Sequence, residues 1–450
     1  MAGLYETAID ELCVTERGGH QIRPKVIAST ATVRRAEKQI RALFNRRLVD
    51  IFPPPGPDRR DSFFAKTLRP TESNARLYVG IAAQGRSPKV AMLRVYLALL
   101  GASQKGYALL KNTGQTPNPV DPYMTLVGYF NSLRELGGAR RIVEDEIRNR
   151  LADYSRRKRV GETEGLFEDR RIGYEPVELT SRVNTSQVAD AKRRLDLEFT
   201  EKGCVDVAIA TNMISVGLDI TRLGLMVVFG QPLTSAEYIQ ATSRVGRDPD
   251  RPGLIVTIFN VHKPRDRSHY ERFAAYHNTF YRSVEASSVT PFSPRALDKA
   301  LAATLVGLAR QGHVPMTAPR NAIEILNERT QLQFVIQTLA QRAYEHTDLP
   351  PSEAELLRQR VRERAIDLMD EWAKIAQEYQ KVGAGLQYNP VEAGAAKQLL
   401  YDFLSPEVKN LPPENPRMKF RANRSLRDVE PEVNLWVRTL ENAELDEDTV

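Results

Sequence analysis

Apolar residues fall along this chain in two rhythms. Between positions 125 and 260 they gather into short solid runs: Thr125–Phe130 (TLVGYF), Val205–Ala210, Leu225–Phe229 and Leu254–Asn260 (LIVTIFN), with a shorter one at Pro176–Leu179. Solid runs of this length are strands covered on both faces. The segments between them carry helical spacing. One follows Asn131-Ser132 with Leu133, Leu136 and Ile142 among its apolar positions, one spans Gln187–Phe199, and one spans Ser235–Arg244. The last has Ser235 as its expected N-cap and Glu237 in its first turn. Strands alternating with helices at this spacing predict a parallel, doubly covered α/β sheet.

Outside that region the pattern is sparser. Pro24–Thr32 (PKVIASTAT) predicts a short strand at Val26–Ala28, followed by a helix over Val33–Phe44 with Val33, Ala36, Ile40 and Phe44 on one side. Phe52–Asp58 (FPPPGPD) breaks regular structure, because consecutive prolines fix φ and remove donors. Leu77–Ile81 reads as a further strand, Val90–Leu100 as a helix and Asn112–Pro122 as a loop. Beyond His262 strand signals fade. Arg272–Val284 and Pro294–Ala309 read as helices, and Ser352–Val382 as a long charged one with Ser352 as N-cap and Glu355 three residues on. Met418–Val450 holds strand-like and turn-like pieces, and no internal repeat occurs.

Composition narrows the class. The 450 residues are 42% hydrophobic and 27% charged, a globular balance that predicts two or three domains. No apolar run approaches the ~18 residues of a membrane span, and MAGLYETAIDEL lacks the apolar core of a signal peptide. Two cysteines, Cys13 and Cys204, have no metal-ligand spacing and fit a reduced cytoplasm, so the expected location is cytoplasmic, with no membrane partner and no metal site. A net charge of +7 leans modestly toward a polyanionic partner such as DNA, although a bland basic surface explains it equally well. Two basic runs, Ser155–Arg159 (SRRKR) and Arg421–Arg427 (RANRSLR), are candidates for tracking a phosphate backbone, against the ordinary reading of solvated faces.

Two spaced motifs carry the chemistry. In Gln240-x3-Arg244-x-Gly246-Arg247, two guanidinium groups three residues apart can be aimed at one target, and Gly246 allows close backbone approach. Planar guanidinium groups suit the charge that builds on a transferring phosphoryl group. Taken alone, the same arginines would equally cap a helix C-terminus. In Ala210-Thr211-Asn212-x4-Gly217-x-Asp219 a strand ends at Ala210. Thr211 and Asn212 then stand at the sheet edge where open α/β sheets bind ligands, with an ordinary capped turn as the alternative. Asn131-Ser132 and Thr180-Ser181-Arg182 follow strands in the same way, with a capping role nearly as well supported. Asp10-Glu11 lacks a preceding apolar strand and reads as a solvated helix face. His262, His269 and His277 read as packing or surface residues.

The order and separation of the two motifs resemble motifs V and VI of superfamily 2 helicases, which move along nucleic acid by hydrolysing ATP between two RecA-like lobes. The family's Gln-x-x-Gly-Arg-x-x-Arg is met by Gln240, Arg244 and Arg247, while Ser243 replaces its glycine. The resemblance implies that Arg244 and Arg247 are arginine fingers, that Gly217, Asp219 and Gln240 lie on the nucleotide side, and that Thr211 contacts a nucleic-acid phosphate. It implies a similar nucleic-acid role for Asn131, Ser132, Ser181 and Arg182. It makes Ser29-Thr30-Ala31-Thr32 a counterpart of motif III, which couples ATP state to lobe closure, although four small residues after a strand are common. The chain holds no Gly-Lys dipeptide, hence no G-x-x-x-x-G-K-[ST] phosphate loop.

Longer strings narrow the match. GLYETAIDEL, PKVIASTATVRRAEKQI, FPPPGPDRRDSFFA, TLVGYFNSLRELGGARR and FRANRSLRDVEPEVN resemble the large helicase subunit of bacterial DISARM anti-phage systems. The resemblance is specific over residues 1–300 and weaker over 300–415. Its members carry both Walker boxes just upstream of the GLYE segment, so the chain is expected to be the C-terminal part of such a protein. The expected organisation is a remnant of a first RecA-like lobe (1–50), a linker or insertion (51–120), a second RecA-like lobe with motifs IV–VI (121–265), a helical extension (266–415) and a tail (416–450). The implied function is the second half of an ATP-dependent DNA helicase or translocase. ATP and Mg2+ would be used only with a Walker-box lobe supplied in cis or in trans, and a second defence-system subunit is the expected partner. The alternatives are a non-catalytic DNA-binding or scaffolding module, and a helicase segment unrelated to defence.

Overall fold

The computed structural model describes residues 1–30, 35–54, 57–58, 61, 63–69, 71–111, 117–180, 183, 185–215, 219–286, 289–346, 349–389, 397–403, 405–409, 411–412 and 414–423. Six strands form one sheet: β1 Leu77–Ala82, β2 Leu126–Phe130, β3 Val177–Leu179, β4 Val207–Ala210, β5 Leu225–Phe229 and β6 Leu254–Phe259. Their spatial order is β1-β6-β5-β2-β4-β3, and every pairing is parallel. The helices that matter below are α1 Ala2–Leu12, α2 Ala36–Phe44, α3 Pro88–Lys111, α4 Leu133–Arg141, α5 Thr185–Asp196, α6 Ser235–Thr242, α7 Pro264–Glu271, α8 Pro294–Gly312, α9 Gln333–Glu345 and α10 Pro351–Lys381.

The solid apolar runs become central strands because both faces are covered. Alternate residues go to opposite sides. Val207, Ile209, Leu225 and Val227 join a core with Leu93, Leu97 and Leu100 of α3 and Leu136 of α4. Ala208, Ala210, Met226 and Val228 join the other core, with Leu195 of α5 and Tyr238 and Ala241 of α6. A buried ion pair closes the bottom of the sheet: Arg222 Nε lies 2.6 Å from Asp121 Oδ2, and the guanidinium also donates to Thr125 Oγ1 and the Leu195 carbonyl.

A third core is helical. Leu301 and Leu305 of α8, Val335 and Leu339 of α9, and Met369 and Trp372 of α10 pack together. Trp372 also donates its indole N–H to the Ala322 carbonyl at 2.8 Å. Leu4 and Ala8 of α1 belong to this same core, so the segment expected as a first-lobe remnant contributes its apolar face to the helical extension.

The structure differs from the sequence reading in several places. β1 falls within the segment expected as linker, yet it pairs along its whole length with β6 and forms an edge of the sheet. Val26–Ala28 forms no strand. Ile27 is exposed, so the short apolar run has no core to cover it and no burial to favour a strand. The N-cap of α6 is Thr234 rather than Ser235, its side chain accepting from the Glu237 N–H. α10 starts at Pro351 with Pro350 as its N-cap, which leaves Ser352 inside the helix. Asp10, read as part of a solvated face, is buried and held by Arg23 at 2.6 Å and Arg46 at 2.5 Å. Burial pushes its pKa up, but the hydrogen bonds from Arg46 and Arg23 outweigh that and hold it below the ordinary carboxylate value.

Candidate functional site

Parallel strands place all their C-terminal ends on one edge of the sheet, and the candidate residues divide between its two edges. Thr211 follows β4 and Asn131 follows β2, so both stand at the C-terminal edge. α6 leaves that edge after β5 and returns along the sheet. The turn after it is bonded to the residues that enter β5 and β6: Gly246 N–H donates to the Leu223 carbonyl at 2.7 Å. Arg244 and Arg247 therefore lie at the opposite, entering edge.

Gly246 is required there on two counts. Its φ is +64°, in the left-handed region, and a Cβ on it would sit 2.1 Å from the Gly253 nitrogen. The close approach fixes the turn on either side of which the two arginines project. Arg247 forms an ion pair with Asp219 and donates Nε–H to the Ser243 carbonyl at 3.3 Å. Its side chain is 29% exposed, and that of Asp219 is 69% exposed. The arginine of the second motif and the carboxylate of the first thus meet in space. Arg244 is half-buried, and burial lowers its pKa below the ordinary value. An arginine stays cationic regardless. Gln240 is half-buried in the last turns of α6.

At the C-terminal edge, Thr211 is buried, its N–H donating to the Leu179 carbonyl. Asn131 spends its amide on the end of β5, donating to the carbonyls of Phe229 at 3.0 Å and Gly230 at 3.2 Å. Ser132 is the N-cap of α4, its hydroxyl accepting from Glu135 N–H at 3.2 Å. Asp266 of α7 accepts from the N–H groups of Gln231 and Asn260, tying the ends of β5 and β6 together. Asn131, Ser132 and Asp266 together stiffen this edge. Asp266 was not foreseen, because a carboxylate that takes two backbone amides leaves no spacing pattern.

Ser29 and Thr30 are exposed. Ala31, Thr32, Ser181, Arg182 and Gly217 lie outside the described residues. In the first basic run, Arg156 and Arg159 are exposed and pair locally with Asp153 and Glu162. Among the described residues no cluster of three or more His, Cys, Asp or Glu gathers to hold a metal, and no helix is long and apolar enough to cross a membrane.

Residues 140–249, which hold both motifs, match the helicase conserved C-terminal domain family. Over 308 residues, 68% of its length, the chain is 44% identical to the DISARM protein DrmA of Bacillus paralicheniformis, and it spans 26% of that relative. Among solved structures it is similar to the DUF1998 helicase MrfA bound to DNA and AMPPNP, at 16% identity and a TM-score of 0.34, over 52% of this chain and 26% of that one. It is also similar to the Mycobacterium smegmatis helicase Lhr bound to ssDNA and AMP-PNP, at 14% identity and a TM-score of 0.31, over 56% of this chain and 30% of that one. The lobe that carries Asp219, Arg244 and Arg247 is thus a helicase conserved C-terminal domain, in a chain similar over two thirds of its length to a DISARM protein.

Proposed function

We propose that this chain supplies the second lobe of an ATP-driven DNA helicase or translocase of anti-phage defence. The observation that carries the reading is the pairing of the two motifs, through Arg247 and Asp219, at the entering edge. Arg247 pairs with Asp219, Arg244 lies one turn away, and a glycine that admits no side chain holds the backbone between them. Two cations on a rigid turn suit the charge that develops on a γ-phosphoryl group, and rigidity is what makes such groups effective.

The donor set fits a phosphate rather than a metal. Arg244 and Arg247 would face the γ-phosphoryl group, Gln240 would lie beside them, and Asp219 would orient Arg247 and release it as a nucleotide arrives. The phosphate loop and the carboxylates that hold Mg2+ would come from a Walker-box lobe, in cis or in trans. On this reading residues 1–450 alone neither bind ATP tightly nor hydrolyse it. Thr211 at the other edge would face a DNA phosphate, which separates the nucleotide and DNA contacts across the thickness of the lobe. DNA and a second defence subunit are the proposed partners.

The test is DNA-stimulated ATP hydrolysis by this chain alone, and by this chain mixed with a separately expressed Walker-box lobe, each with wild type and Arg247→Ala. Activity only in the mixture, lost with Arg247→Ala, is the expected result. Salt-sensitive DNA binding with no hydrolysis in either arm would leave a binding module and reject the motor reading.

A further inference from the structure

The turn that carries the two arginines is gripped from outside the matched helicase domain. Asn74, Arg76 and Tyr78 stand at alternate positions where the chain enters the edge strand β1. Each bonds to the last residue of α6 or to the segment that follows it. Asn74 Nδ2 donates to the Pro249 carbonyl at 3.1 Å. Arg76 Nε donates to the Val245 carbonyl at 2.7 Å, and its terminal nitrogen to the Ser243 carbonyl at 3.4 Å. The Tyr78 hydroxyl lies 3.2 Å from Thr242 Oγ1.

Arg76 is the centre of this row. The last carbonyls of a helix have no partner within it, and a cation there satisfies them and complements the helix dipole. The guanidinium takes two carbonyls that flank Arg244, which a single-point ammonium cannot reproduce. The Ser243 carbonyl accepts from both Arg76 and Arg247, so one oxygen links the clamp to the arginine paired with Asp219.

We propose that Asn74, Arg76 and Tyr78 form a clamp that sets the geometry of the arginine turn, with Arg76 as a positioning residue for Arg244 and Arg247. The catalytic consequence rests on the arginine-finger reading above; the clamp itself does not.

Amide hydrogen exchange in the full 450-residue chain tests the clamp without any enzyme activity. In Arg76→Ala, exchange over residues 243–247 is expected to rise at least about tenfold while Val227 and Ile258 in the central strands keep their wild-type protection. Arg76→Lys is expected to behave like the alanine variant, and Asn74→Ala, at an exposed site, to give a smaller rise in the same segment. In the mixture with a Walker-box lobe, Arg76→Ala is expected to lower kcat at least about tenfold while KM for ATP changes by less than about twofold. Unchanged exchange over 243–247, or a rise spread evenly over the whole sheet, overturns the clamp. Local exchange that rises while Arg247→Ala leaves hydrolysis intact would support the clamp and reject the fingers.

Discussion

Arg247 and Asp219, 28 positions apart, form an ion pair at the edge where β5 and β6 enter the sheet. Both side chains reach solvent, so the pair contributes little to stability, on the order of 1 kcal/mol or less. Its value lies in orientation. A guanidinium that would otherwise sweep through solvent is held in one place by a carboxylate on one side and the Ser243 carbonyl on the other.

The two partners should therefore differ in kinetics and agree in stability. On the proposed reading, with a Walker-box lobe present, Arg247→Ala is expected to lower kcat by about a thousandfold or more, as loss of an arginine finger does. Asp219→Asn keeps the hydrogen-bonding shape and removes the charge, so a loss nearer tenfold is expected. Urea unfolding should place both variants within about 1 kcal/mol of wild type. A large loss of stability in either would mean that the pair braces the fold.

Gly246 should behave in the opposite way. Alanine there faces a left-handed φ and a Cβ 2.1 Å from the Gly253 nitrogen, so the turn must open. The expected cost is on the order of 2 kcal/mol or more, read as a lower urea midpoint with an unchanged m-value. Hydrolysis in the reconstituted mixture should fall with it. A Gly246→Ala protein with wild-type stability would show that the turn is free to shift.

Much of this is legible in the sequence. The buried strands announce themselves because a strand covered on both faces must be apolar at every position, and the Arg-x-Gly-Arg spacing shows a turn that needs glycine. β1 is a weaker case. It is an edge strand, half-buried and with Leu77 exposed, and its partner β6 arrives only after the rest of the lobe. Arg76 gives no signal at all, because its acceptors are main-chain carbonyls, which every residue possesses. Asp10 was misread for a related reason. One residue of an amphipathic helix cannot show that Arg23 and Arg46 fold back over it.

Two histidines, His277 half-buried and His346 buried, predict how stability depends on pH. Burial lowers the pKa of His277 below its ordinary value of 6.5, His269 lowers it further, and the Phe273 carbonyl raises it only in part. His346 is lowered by burial as well. A lowered folded value means that the unfolded chain binds protons first as pH falls. This contribution is therefore present above about pH 6.5 and is lost as pH drops through the folded values. The melting temperature should fall between about pH 7.5 and about pH 5.5, and His277→Gln should flatten that fall. An identical pH profile in His277→Gln would remove the histidine from the account.

The C-terminal edge gives the sharpest separation of a DNA contact from a structural one. Thr211 and Ser132 are both small hydroxyl residues just past a strand, and both were candidates for gripping phosphate. The hydroxyl of Ser132 is engaged as the cap of α4, so Ser132→Ala should cost about 1 kcal/mol of stability. It should leave DNA affinity and its dependence on salt unchanged. Thr211→Val keeps the shape and removes the hydroxyl, so on the proposed reading it weakens DNA binding several-fold, in line with one lost phosphate hydrogen bond worth about 1 kcal/mol. The hydroxyl is neutral, so the slope of log Kd against log salt should stay fixed, while neutralising a contacting cation would reduce it by about one. Fluorescence anisotropy with a labelled oligonucleotide at several salt concentrations reads all of these. A wild-type Kd for Thr211→Val together with a weakened one for Ser132→Ala would reverse the assignment, and would place the phosphate contact at the start of α4.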